Sequence, residues 1–195
     1  MNASEAQNKA AGEFVGLIAS KAGTNGGAVH PETAIVSAAR IAGSLLLRSF
    51  KFETGSAEPG TVVLSNEANE KGPQLLSILA ASLANSGLPL DQSLLQGRNV
   101  DRGGEPTVST LQTLRLLQAD ALNIVERNGL SFEQAAQSAA LATAFIVKEC
   151  VPIVAVEVGF KIAAMGFVEG TKTVPPPVAS SGSALNEKKP WYKLW

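Results

Sequence analysis

At 195 residues, 45% hydrophobic and 17% charged, the chain has the size of one domain with an appendage. It carries enough apolar material for a packed core, which excludes a wholly disordered chain. A formal charge of −1 gives no general electrostatic reason to bind nucleic acid or an anionic membrane.

The first helix is expected from Ser4 to about Ala22, with Phe14, Leu17 and Ile18 at helical spacing; Gly23-Thr24-Asn25-Gly26-Gly27 stops it. A second helix starts with Pro31 at its first position, where the missing N–H costs nothing, and runs to about Phe50. Ala34, Ala38 and Ala42 recur four apart, as do Ala39 and Gly43, which lets a neighbouring helix approach closely. Gly55–Gly60 reads as a loop. Thr61–Leu64 reads either as a short extended piece or as the start of the next helix, so a minor β element is left open there. Pro73 marks the expected start of a regular third helix, which ends at Asn85 with Gly87 as its stop.

The polar, glycine-rich stretch Gly97–Pro106 is expected to be an exposed loop. A fourth helix spans about Val108–Asn128, with a stripe of Leu111, Leu114, Leu117, Ala121 and Ile124, and Gly129 ends it. Ser131 with Gln134 forms a capping box that opens a fifth helix from Phe132 to about Cys150. Pro152 breaks or kinks the chain at that point. Val151–Val158 is β-branched enough for a strand, yet Val151, Val154, Val158, Ile162 and Met165 share one helical face and Ile153, Val156, Phe160 and Phe167 another. A buried central helix running to about Glu169 is the expectation. The longest uncharged stretch in this region, Gln134–Val147, is 14 residues, short of the roughly 20 that a membrane span needs.

The C-terminal part differs in kind. Pro175-Pro176-Pro177 is a stiff extended segment, and Val178–Asn186 has the small, polar composition of a flexible linker. Both tryptophans and the single tyrosine lie within the last five residues, in Trp191-Tyr192-Lys193-Leu194-Trp195. From Thr171 onward there are four lysines and one acid, so the body carries about −4 and the tail about +3. The reading is a helical domain over 1–170 and a Pro-rich, flexible tail over 171–195.

Few residues point to chemistry. One cysteine, Cys150, allows no internal disulfide and fits a reducing compartment. The start Met1–Glu5 lacks the basic-then-apolar pattern of a signal peptide, so a cytoplasmic location is expected. With one Cys and one His, His30, the common zinc sites cannot be built within one chain. His30, just before Pro31, suits helix capping or plain exposure, and Cys150 among apolar neighbours suits a buried, inert thiol. No metal or cofactor is expected. Glu149 and Glu157 lie eight residues apart. They form either a buried carboxylate pair or a solvated stripe in which Glu157 pairs with Lys161, and the stripe is favoured. Arg98 and Arg102 precede a helix start where backbone N–H groups can hold an anion, but their spacing matches no phosphate-binding motif.

The expectation is therefore an all-α fold, five to six helices around the apolar C-terminal pair between Phe132 and Phe167. The favoured function is a non-enzymatic interaction or scaffolding module that engages another protein or a sister subunit through Trp191, Tyr192, Lys193 and Trp195; the plainer reading of the same residues is that the tail packs back on its own domain as a final apolar patch. The alternative is a small-ligand-binding helical domain, possibly an enzyme, with the 97–106 loop as a lid and Arg98, Arg102, Glu149 and Glu157 as candidate contacts. Under either reading self-association is open, nucleic acid is not a partner and membrane contact is not expected.

Overall fold

A computed structural model describes residues 3–22, 24–25, 28–50, 57–96 and 108–178. The fold is all-α. Its order is α1 (Glu5–Lys21), a two-residue antiparallel pair β1 (Thr24–Asn25) and β2 (Ala28–Val29), α2 (Pro31–Ser49), α3 (Asn66–Asn85), the short α4 (Gln92–Gln96), α5 (Thr110–Arg127), α6 (Phe132–Cys150) and α7 (Val156–Lys172).

The helix ends follow from local chemistry. Ser4 with Gln7, Ser109 with Gln112 and Ser131 with Gln134 close reciprocal capping boxes at α1, α5 and α6. His30 caps α2, its Nδ1 accepting from the Thr33 N–H at 3.3 Å, and Pro31 follows at the first position. Gly87 and Gly129 take φ of +80° and +60° after α3 and α5. The N–H groups of Leu88 and Leu130 then reach back to the carbonyls of Leu83 and Val125, the pattern that satisfies a helix end through a left-handed residue.

The centre of the molecule is α2. Every residue from Thr33 to Leu47 is buried, and α2 packs most extensively on α7 and next on α6. This corrects the expectation that the segment after Cys150 supplies the central helix. Arg40, Ser37 and Ser44 break the apolar run of α2 in sequence, yet all three are buried. α1 covers α6 and α5, and α3 covers α6 and α7.

The α2–α7 contact is a contact of backbones. A Cβ on Gly170 would strike the carbonyl of Arg40, and one on Gly43 would strike the carbonyl of Phe167. A Cβ on Gly166 would lie 2.7 Å from Cβ of Ala39 and 2.9 Å from the carbonyl of Val36. The small residues Ala39 and Gly43 thus meet glycines of α7.

Three boundaries differ from expectation. α3 begins at Asn66, capped by Ser65, and Pro73 lies inside it. Asn69, whose carbonyl Pro73 leaves without its helical donor, is exposed, and water can satisfy it. Val151–Val154 forms turns, and α7 starts only at Val156. The N–H groups of Ile153 and Val154 both bond to the Cys150 carbonyl, at 2.9 and 2.8 Å, ending α6 before the chain reverses. Finally, the body continues past residue 170. α7 extends to Lys172, and Thr173, Val174 and Pro176 are buried against it.

Candidate functional site

The last turn of α7 meets the segment 59–64 and the start of α5. Val62 and Thr173 form an antiparallel bridge. The Val63 N–H donates to the Lys172 carbonyl at 2.7 Å. Val174 N–H donates to the Thr61 carbonyl, and Gly60 N–H to the Val174 carbonyl, each at 2.9 Å. The expected extended piece at Thr61–Leu64 is therefore a single bridge that ties the end of α7 down. Further along, the Gln118 amide of α5 donates to the Pro176 carbonyl at 2.6 Å and accepts from Arg48 at 2.9 Å. Burial lowers the pKa of the Arg48 guanidinium. Residues 173–176 are thus a strap fixed to the body at both ends.

These elements enclose an open cleft of about 630 Å³, walled by Pro59, Val62, Leu111, Val168, Glu169 and Lys172. A smaller groove of about 190 Å³ lies on the other side of Val168, between α3 and α7, lined by Ala68, Pro73, Leu76, Ala164 and Phe167. Val168 and Lys172 belong to both recesses. The surface around them is apolar. Val62, Leu64 and Val168 are 67%, 78% and 51% exposed. Together these side chains leave a large apolar area in water.

The cleft also has a charged wall. Glu169 accepts from Arg40 Nε at 2.7 Å and from the Thr110 hydroxyl at 3.1 Å through the same oxygen, Oε2. Arg40 is buried. Its Nη1 donates to the Val108 carbonyl at 2.8 Å and to Thr113 Oγ1 at 3.1 Å. A core guanidinium therefore holds a cleft carboxylate, the first turn of α5 and the Val108 carbonyl just before it. Lys172 pairs with no carboxylate among the described residues.

Glu149 is exposed near the end of α6, and Glu157 sits in the first turn of α7, with the 151–155 turn between them. Glu157 accepts from the Asp91 N–H at 3.2 Å, and Lys161 Nζ donates to the Leu94 carbonyl at 2.9 Å. These two residues fasten the segment around α4 to α7 and do not form the ion pair expected from their spacing. Cys150 is buried, and its thiol pKa is raised by burial and by the nearby charges of Glu32 and Glu149. That is the reverse of an activated nucleophile. Among the described residues no cluster of His, Cys, Asp or Glu could hold a metal, and no helix is long and apolar enough to cross a membrane. Arg98, Arg102, Trp191, Tyr192, Lys193 and Trp195 lie outside the described residues.

Sequence reading missed Arg40 and Glu169. From the sequence Arg40 is most simply a surface group or a partner for a nearby acid, and nothing local signals a buried partner 129 residues away. No family model matches the chain, and no curated protein or solved structure matches it.

Proposed function

We propose that the protein is a non-enzymatic interaction or scaffolding module. Its binding element is the segment 187–195, which engages another protein or a sister subunit. The observation that carries this reading is the strap. Val174 and Pro176 are buried and hydrogen-bonded to the body, so the tail is anchored to the body as far as Pro176. The residues beyond it hold both tryptophans and the tyrosine. Tryptophan and tyrosine dominate binding hot spots because they bury a large area at little entropic cost. Residues 1–190 contain no tryptophan or tyrosine, so recognition through these two residue types belongs to that segment.

The test compares the full chain with one ending at Val178, which keeps the strap. Stoichiometric association with one partner should be lost on truncation and in the Trp191→Ala/Trp195→Ala variant, with helicity unchanged. Retention of every partner by the truncated chain refutes the reading.

A second reading, a small-ligand site with the 97–106 loop as lid, is favoured by one observation. Arg40 bonds the Val108 carbonyl and Glu169 together, which fixes the return of that loop beside the cleft. A stoichiometric small molecule in native mass spectra, lost in Glu169→Ala, is the result this reading requires.

A further inference from the structure

We infer that the apolar surface around Val168 is the docking site of the protein's own segment 187–195, folded back within one chain. This concerns where that segment rests in the absence of a partner, and it stands whether or not a foreign partner exists.

Three observations meet here. The first is reach. Thr173 forms part of the cleft wall, and Val178, five residues on, lies no more than about 18 Å away even if fully extended. The nine residues from Val178 to Glu187 span up to about 30 Å. Glu187–Trp195 can therefore lie across the cleft and the groove beside it. Tethering of this length gives an effective concentration of about millimolar, so modest affinity suffices.

The second is shape. Two recesses share Val168 and Lys172 as their common ridge, and Trp191 and Trp195 are four residues apart. That separation is about 6 Å along a helix and about 13 Å along an extended chain. Both are on the scale of a ridge made by one helix, which is about 10 Å across. Lys172, without a carboxylate partner among the described residues, offers an ammonium for an aromatic face.

The third is charge. Glu58 adjoins the cleft residue Pro59, and Glu67 and Glu70 flank Ala68 and Asn69 of the groove. All three are exposed, and none has a basic partner among the described residues. The segment brings Lys188, Lys189 and Lys193 against the single acid Glu187. A sister copy could present the same segment, but only at its bulk concentration.

Because both tryptophans lie in the segment, tryptophan fluorescence reports on it alone. The experiment measures emission and acrylamide quenching of the full chain, compared with a synthetic peptide of residues 179–195. Val168→Glu and Leu64→Glu change exposed positions, so the fold is retained, and circular dichroism checks this. The expected result is blue-shifted emission and quenching several-fold weaker than in the peptide, independent of protein concentration and reverting toward the peptide in Val168→Glu. Peptide-like emission in the wild type overturns the inference. So does screening that neither substitution alters, which would place the segment elsewhere. Screening that fades on dilution overturns the own-chain assignment, because the cleft would then be filled by a second copy.

Discussion

Arg40 Nε lies 2.7 Å from Glu169 Oε2, joining the centre of the central helix to the wall of the cleft. The guanidinium is 5% exposed and the carboxylate 33%, so the two partners are not equivalent. Removing the anion strands a buried cation, and Glu169→Ala is expected to cost about 3 kcal/mol, the lower end for a broken buried pair because water reaches one side. Glu169→Gln keeps an acceptor oxygen and should cost less. Urea unfolding of the three proteins measures the difference.

The glycines divide by what lies opposite them. Gly170→Ala and Gly166→Ala push a methyl group into the backbone of α2 and should destabilise by about 1–3 kcal/mol or more. Gly12 and Gly16 of α1 face open space, so alanine there should stabilise by about 0.5–1 kcal/mol through better helix propensity. Opposite signs for one substitution type, read from thermal melts, test the backbone contact directly.

Truncation should have a sharp threshold. Ending the chain at Val178 keeps the strap, so the melting temperature is expected to fall only by what the docked segment 187–195 contributes. Ending it at Thr173 removes buried Val174 and the Gln118–Pro176 bond, a loss of about 2–4 kcal/mol.

Cys150 should react slowly. Burial and the charges of Glu32 and Glu149 raise its pKa, so the thiolate is scarce at neutral pH. Iodoacetamide labelling, followed by intact mass, should run slower in the folded chain than in urea, because the thiol is buried and less of it is thiolate.

An acid-side prediction concerns Glu13. Burial pushes its carboxyl pKa up, but bonds from Arg127 and Asn128 outweigh that and leave it lowered. A carboxyl whose pKa is lower folded than unfolded adds stability that is present above its unfolded pKa and lost as pH falls through the folded one. Glu13→Gln should thus be less stable than wild type at pH 7, by at most about 1 kcal/mol for so exposed a pair. The difference should vanish below the carboxylate range in denaturation curves taken across pH.

Helix identity was legible because local chemistry wrote it. Serine caps, Pro31, Gly87 and Gly129 each act within one turn of a boundary. Pro73 misled because it suits a first helical turn, whereas Ser65 caps the real start and an exposed Asn69 makes the interior proline tolerable. The central helix was missed for a related reason. Burial is set by neighbours distant in sequence: Arg40 gains its partners only when Glu169 and Thr113 are brought to it, and α2 is enclosed only when the glycines of α7 lie against Val36, Ala39 and Arg40. The cleft was illegible for the same reason, since its walls come from three separate stretches of chain. Arg98 and Arg102, and the aromatic residues after Pro190, were read from composition, which carries no geometry.

Where Gly166 and Gly170 meet Val36 and Arg40, main chain rests on main chain. At these points the nearest groups are backbone atoms, Cβ of Ala39 and one methyl of Val36, so little side chain is left there to repack around a small shift. α7 carries Val168, Glu169 and Lys172 on one side of this seam. The α7 wall of the cleft is therefore held in place from behind by the main chain of α2.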